Sequence, residues 1–379
     1  MLKKLLGVVI SLSLCLVFAA CTEKESSSKA DSSSKTDSSS VVDSSSVADS
    51  SQPDSSQTDS SEPDSSEPES SVPDSSDSES SGGSFGPPVK EEAKITPPMW
   101  KVESESGAVI YFLGSMHALA QDSYPLPDEI IDAFNNSDSL AVECDIVAYA
   151  SDMDKQMESI MNFMYIDGTT IKDHIDAELY DSAKAILEDA GLYNEAYEVY
   201  NTIMWSSLID MAMMEDAGLN SDLGIDNQLL KKAHGEGKDI IEIETIEMQE
   251  AILYGQPEEF NLYMLEGSVY YYEDQVAVLK DMYEAWKIGD LDAIMATDEE
   301  SEEIPEEEEI SDELLAMIED YNYKLMDERN VGMIDKAVEM LENGDKVFYV
   351  VGAAHYYGDT GILKGLEDAG YTVEPVVFD

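Results

Sequence analysis

Apolar and polar positions fall into three regimes along the chain. A largely apolar run from Leu5 to Ala20 is followed by residues 22–84, which show no periodic apolar face at all. Ordered alternation begins only near residue 96. There, Trp100–Val102 and Ala108–Leu113 flank Glu103-Ser-Glu-Ser-Gly107, a pattern that predicts a hairpin whose second strand, Val109-Ile-Tyr-Phe-Leu113, is apolar on both faces and therefore central. Pro127 and Asp128 open a predicted helix through Phe134, and Ser139–Cys144 reads as a second buried strand. Near the other end, Lys346–Val351 is a further apolar strand stopping at Gly352. A helix over Gly361–Ala369 with a Gly370 stop and a closing strand over Thr372–Val377 complete that pattern.

Between these flanks, over about 147–343, apolar spacings of three and four predict helices at Glu178–Ala190, Glu195–Ala217, Asn227–His234, Pro257–Lys287 and Ser311–Glu342. A short strand, Ile240–Ile243, interrupts them. The expected fold class is α/β, a split central sheet built from N- and C-terminal strands with a large helical insertion. The phrase Asp-Ala-Gly at 189–191, 216–218 and 368–370 mimics a repeat, but each instance ends a helix with glycine in the left-handed position.

Composition narrows the folded part. Residues 22–84 hold 28 serines in 63 positions with 15 acidic and 3 basic residues, which cannot form a core. The repeated Asp-Ser-Ser unit predicts an extended, self-repelling linker. Residues 85–379 carry 16 basic against 67 acidic side chains, a field that repels phosphate backbones and excludes nucleic acid as a partner.

Lys3 and Lys4 ahead of the apolar run give it the form of a secretory signal, too short to span a membrane. Phe18-Ala-Ala-Cys21 resembles the lipobox of bacterial lipoproteins, with Phe18 where Leu is commoner; an ordinary signal peptide cut near Ala20 is the alternative. The expected organisation is a signal peptide over 1–20, a lipid-anchored linker over 21–95 beginning at lipidated Cys21, and an extracytoplasmic domain over 96–379 held at the bacterial cell membrane. Only Cys144 remains in that domain, so no internal disulfide is available.

No Walker loop, dinucleotide-binding glycine motif, zincin helix or nucleophile elbow occurs. The chain has four histidines, and two end the same phrase: Gly114-Ser-Met-His117 and Gly352-Ala-Ala-His355, each directly after an apolar strand. In open α/β sheets functional groups collect beyond the strand carboxyl ends. Two such strands in one sheet would bring both imidazoles to one rim, with Glu143 at the end of the next strand. Two histidines and one carboxylate suit a divalent ion such as Zn, Mn or Co with a water in an open position. His174 and His234 lack the strand-glycine context and are expected to be ordinary histidines.

Over about 97–379 the chain resembles the TraB/PrgY/GumN family, which includes the Tiki metalloproteases. The resemblance rests on Pro98-Met-Trp, Gly114-Ser-Met-His117, Val142-Glu-Cys-Asp145, Gly224-Ile-Asp226, Glu244-Thr-Ile-Glu-Met-Gln249, Glu328-Arg-Asn330 and Gly352-Ala-Ala-His355, in the family's order. It implies a fold related to erythromycin-esterase-like hydrolases and metal-dependent cleavage of a peptide or protein substrate. His117 and His355 would be metal ligands or catalytic imidazoles, and Glu143 a ligand or general base. Arg329 would hold a substrate carbonyl or carboxylate, the alternative being a surface ion pair. Asp226 would steady a ligand from behind or cap the Asn227 helix, and Glu244 and Glu247 would do the former or simply turn a strand into a helix. The same family contains peptide-pheromone shutdown proteins, so a binder that does not cut, or a metal-free His/Glu hydrolase, is the alternative.

Replacing Cys21 with Ser is expected to release the protein from the membrane fraction. Unchanged membrane partition in cell fractionation would contradict the lipid anchor.

Overall fold

A computed structural model describes residues 95–296 and 310–378. The expected signal, Cys21, the linker as far as residue 94 and the acidic stretch over 298–309 lie outside the described residues. The predicted hairpin forms as β1 (Met99–Glu103) and β2 (Val109–Ser115), paired antiparallel with Met99 opposite Leu113. Helix α1 (Asp128–Asn136) follows and leads into β3 (Ser139–Val142). The insertion then runs through α2 (Ile146–Ser151), α3 (Met153–Asn162), α4 (Ala177–Asp189), α5 (Thr202–Asp216) and α6 (Ile225–Glu236) to β4 (Asp239–Glu242). It continues through α7 (Ile246–Tyr254), α8 (Glu258–Tyr270), α9 (Tyr272–Lys287), α10 (Leu291–Ala296), α11 (Asp312–Asn322) and α12 (Arg329–Asn343). The chain closes with β5 (Lys346–Gly352), α13 (Ile362–Asp368) and β6 (Glu374–Pro375).

The six strands form one sheet in the order β4-β3-β5-β2-β1-β6. The four strands β4, β3, β5 and β2 are mutually parallel, and β1 runs against both β2 and β6. Thus β2 and β5, from opposite ends of the sequence, are neighbours, with Ser115 level with Gly352. On the other side of β5, Val142 of β3 is level with Val350.

Both faces of the sheet are covered, which is why the central strands are apolar throughout. Along β5, Val347, Tyr349 and Val351 pack with Met333, Ala337, Leu341, Ile362 and Leu366 of α12 and α13. The alternate residues Phe348 and Val350 face the larger core of α1, α4, α5, α6 and α9. Helix α5 is buried on nearly every side, with Thr202, Ser206, Ser207 and Asp210 buried among its apolar residues.

Three predicted helices are interrupted. Glu195–Val199 is a short 3₁₀ turn, and α5 starts afresh after Asn201, whose side chain accepts the Met204 N–H as an N-cap. The Pro257–Lys287 pattern divides at Tyr271, and the Ser311–Glu342 pattern contains a π-helical turn over Tyr323–Glu328. The last strand shrinks to Glu374–Pro375 at the sheet edge, where a proline lacking an N–H is tolerated. Among the described residues no helix is long and apolar enough to cross a membrane.

The entry to α6 locks the segment after β2. Ile225 N–H donates to the Met116 carbonyl at 3.2 Å, and a Cβ on Gly224 would lie 2.1 Å from the His117 carbonyl oxygen. Only glycine permits this approach. Gly224→Ala is expected to destabilise the protein by about 1–3 kcal/mol or more, the usual cost of overpacking. An unshifted urea midpoint would contradict it.

Candidate active site

Across the sheet, the residues just beyond the carboxyl ends of the four parallel strands are Glu244, Glu143, His355 and His117, in the spatial order β4, β3, β5, β2. Strand order alone therefore gathers groups separated by more than two hundred positions in sequence. The ladder persists one step past β3 and β4, since Glu244 N–H donates to the Glu143 carbonyl at 2.9 Å. The indole N–H of Trp286 on α9 donates to the Gly114 carbonyl at 2.9 Å and fixes the exit of β2.

Arg329 enters from α12 and is buried. Its Nε donates to Glu244 at 2.9 and 3.1 Å, and its Nη2 donates to Glu143 Oε2 at 2.6 Å and to Glu244 Oε2 at 2.8 Å. Nη1 donates to the Leu325 carbonyl at 3.4 Å, which leaves one Nη1 N–H for another partner. It is the only arginine in the 379-residue chain. Gln249 on α7 ties the two carboxylates further, with Nε2 at 3.0 Å from Glu143 Oε2 and 2.9 Å from Glu244 Oε2. Glu143 Oε1 accepts the Gly352 N–H at 2.7 Å. Burial opposes charge on Glu143, but Arg329, the two histidines and the Gly352 N–H outweigh it and hold the carboxyl well below the usual range.

Each imidazole is oriented from behind. His117 Nδ1 is 2.9 Å from Asp226 Oδ2, and His355 Nδ1 is 2.7 Å from Asn330 Oδ1. Both partners accept, so each Nδ1 donates and each Nε2 is turned to the other side of its ring. A Cβ on Gly352 would lie 3.3 Å from Glu143 Oε1, 3.5 Å from His355 Cδ2 and 3.9 Å from His117 Nε2. The three groups thus surround one point that glycine keeps open.

Burial disfavours the charged form of both rings, yet they are driven apart. The Asp226 carboxylate overrides burial at His117 and raises it to about 9, whereas at His355 burial and Arg329 act together and lower it to about 3.

Two oriented imidazoles beside an ionised carboxylate have the donor chemistry of a divalent-ion site. Among the described residues no three His, Cys, Asp or Glu side chains already stand at ligand spacing; His355 Nε2 and Glu143 Oε1 are 4.0 Å apart. The small space bordered by His117, Glu143, Gln249, Leu253, Leu325 and Arg329 is about 10 Å³, room for roughly one water molecule. Across α7, on its other face, a cleft of about 450 Å³ opens between Glu247, Glu250 and Tyr254 and the α3 residues Lys155 and Asn162.

Of the residues singled out for the candidate site within the described part, His117, Glu143, Asp226, Glu244, Arg329 and His355 are in this cluster and Glu247 is not. Asp226 touches His117, and the N-cap of α6 is Gly224, so the capping alternative for Asp226 does not hold. Glu244 both turns β4 into α7 and binds Arg329. Glu247 points away and pairs with Lys155 at 2.9 Å. His174 stacks on Tyr165 with ring centroids 3.8 Å apart, and His234 pairs with Asp145 at 2.8 Å, both outside the cluster. Gln249 and Asn330 carry roles that single-residue reading did not assign. Their signal was adjacency, since one closes the Glu244–Gln249 phrase and the other follows Arg329 directly.

A sheet with its polar cluster beyond the parallel strand ends, assembled from both termini of the domain, defines a split α/β protein with a paired-histidine, carboxylate and arginine centre. The chain belongs to the TraB/PrgY/gumN family, whose family model matches residues 98–375. It is similar to the uncharacterized protein YbaP of Escherichia coli K12 and of Shigella flexneri. Each is 23% identical over 256 residues, covering 68% of this chain and 87% of the relative. No solved structure matches the chain.

The two histidines generate opposite pH arms. His355, with its folded pKa below the ordinary 6.5, contributes stability that is complete above that value and lost as pH falls towards about 3. His117 contributes stability that is complete below 6.5 and lost as pH rises through about 9. Asp226→Asn is expected to remove the alkaline arm and leave the acid arm in place. Urea denaturation of chelator-treated protein across this range checks it; an alkaline arm that persists in the variant would contradict the assignment.

Proposed function

We propose that this protein is a hydrolase, a metal-dependent peptidase akin to the Tiki branch and to erythromycin-esterase-like folds, tethered through Cys21 outside a bacterial membrane. The observation that carries the reading is the convergence of two imidazoles, each oriented through Nδ1, on the ionised carboxylate of Glu143 beside Gly352. The residues fitted to hold a divalent ion, Zn, Mn or Co, are His117 and His355 through Nε2 and Glu143 through Oε1. When bound, such an ion supplies a water of lowered pKa.

The chain's own groups divide the remaining tasks. Asp226 and Asn330 fix the ring tautomers. Arg329 and Gln249 keep Glu143 ionised and in place, and the remaining Nη1 N–H of Arg329 is available to a substrate carbonyl as negative charge develops on it. The small space admits a water rather than a peptide, so substrate access requires the apolar wall of Leu253 and Leu325 to move aside.

A second reading, a metal-free hydrolase, is favoured by the opposed histidines. At neutral pH His355 is neutral and able to accept a proton at Nε2, while His117 is charged and able to donate one.

Elemental analysis of the purified protein, joined to cleavage of a peptide library with and without chelator, separates these readings. The metal reading expects cleavage abolished by chelator and restored by Zn, Mn or Co. It also expects a loss of roughly 10²–10⁴-fold in His117→Ala, His355→Ala and Glu143→Gln. Chelator-insensitive cleavage with a bell-shaped profile bounded near 3 and 9 would decide for the second reading. Tight peptide binding without cleavage, surviving loss of both histidines, would overturn both in favour of a binder.

A further inference from the structure

The side chain of Gln249 has one committed end and one uncommitted end. Its Nε2 donates to Glu143 Oε2 and Glu244 Oε2, and both oxygens can only accept from it. Both carboxylates are also held by Arg329, so turning the amide over would set its carbonyl against two fixed negative charges. The orientation is therefore forced, and Oε1 faces away from the carboxylates. That oxygen is buried in a residue 4% exposed and has no hydrogen-bond partner among the described residues. Gln249 borders the same small space as His117, Glu143 and Arg329.

A buried acceptor with no donor is costly unless a bound molecule supplies the donor. The chemistry around this one identifies the donor. The space is bordered by Arg329, whose uncommitted Nη1 N–H suits a carbonyl oxygen, and by Gln249, whose uncommitted Oε1 is an uncharged acceptor that suits an N–H. An amide offers both groups on adjacent atoms, whereas an ester replaces the N–H with an oxygen that has nothing to donate.

We propose that Gln249 is a specificity-determining residue whose Oε1 accepts the N–H of the scissile amide, so that the site selects amides over the matching esters. This rests on the hydrolase reading above. Hydrolysis breaks the C–N bond, delivers the hydroxyl of water to the carbonyl carbon and its proton to nitrogen, and Oε1 holds the nitrogen's original N–H throughout. A site built to pair with a substrate N–H discriminates strongly against an analogue that lacks it.

The test uses the full chain, prepared with the metal found by elemental analysis, and two probe mixtures. One is a set of N-acetylated, C-amidated octapeptides randomised at the four central positions. The other is the same set with an ester in place of the central amide. Two variants are compared with the natural protein: Gln249→Met removes donor and acceptor, and Gln249→Lys keeps a donor to the carboxylates while removing the acceptor. The expected result is a fall of roughly ten- to a hundredfold in the amide-to-ester ratio of kcat/KM in both variants.

An unchanged ratio, or a ratio restored in Gln249→Lys, would overturn the proposal, assigning Gln249 to structural support or to holding a water, and would leave the hydrolase reading standing. If the natural protein cleaves neither mixture, calorimetric binding of the same mixtures decides. Binding of the amide set over the ester set that is lost in both variants would sustain Gln249 as the acceptor while overturning the hydrolase reading. Equal binding of the two sets, or none, would overturn both.

Discussion

A single guanidinium sharing two buried carboxylates is the constraint on which the rest of this structure depends. Glu143 and Glu244 end adjacent strands, and without a cation between them their charges could not both be kept out of water. Arg329 answers that requirement in a geometry lysine cannot copy, because Nε and Nη2 bond both oxygens of Glu244 while Nη2 also reaches Glu143. The network then sets the positions of everything around it. It fixes the Gln249 amide, leaves Glu143 Oε1 to the Gly352 N–H, and depresses the proton affinity of His355.

The sheet supplies the other half of the arrangement. Because β2 and β5 are neighbouring parallel strands, four-residue phrases at their ends that both open on glycine and close on histidine deliver two imidazoles to the same rim. The phrases are nevertheless used differently. His117 meets a carboxylate on α6 that raises its proton affinity, whereas His355 meets an uncharged amide on α12 and is left to burial and Arg329, which lower it. A duplicated motif has thus become a chemically asymmetric pair.

The strands and the histidine phrases were legible in the sequence because apolar runs ending in glycine are local signals. Glu143 was legible for the same reason, since it directly follows a buried strand. Asp226 was ambiguous: a carboxylate in the first turn of a helix serves capping and ligand support equally well in one dimension, and only the contact with His117 separates them. The bend at Tyr271 and the turn at Tyr323–Glu328 were not legible, because apolar spacing of three and four continues through both. Gln249 and Asn330 were hidden in another way. Both are polar helix residues that reach beyond their own helix, Gln249 to Glu143 and Asn330 to His355, so apolar patterning does not announce their burial.

The π-helical turn ahead of Arg329 changes how the long helical segment can vary. An extra residue at Tyr323–Glu328 lets α12 face Arg329 and Asn330 towards the strand ends while α11 turns Ile318 and Tyr321 into the separate cluster around Phe260 and Met264. Removing that residue would restore ordinary winding and swing α11 by about 100° relative to α12. The turn acts as a swivel joint between two halves of one rod: the half nearer the strands answers to chemistry, the outer half answers to packing, and each can accumulate substitutions without dragging the other out of alignment.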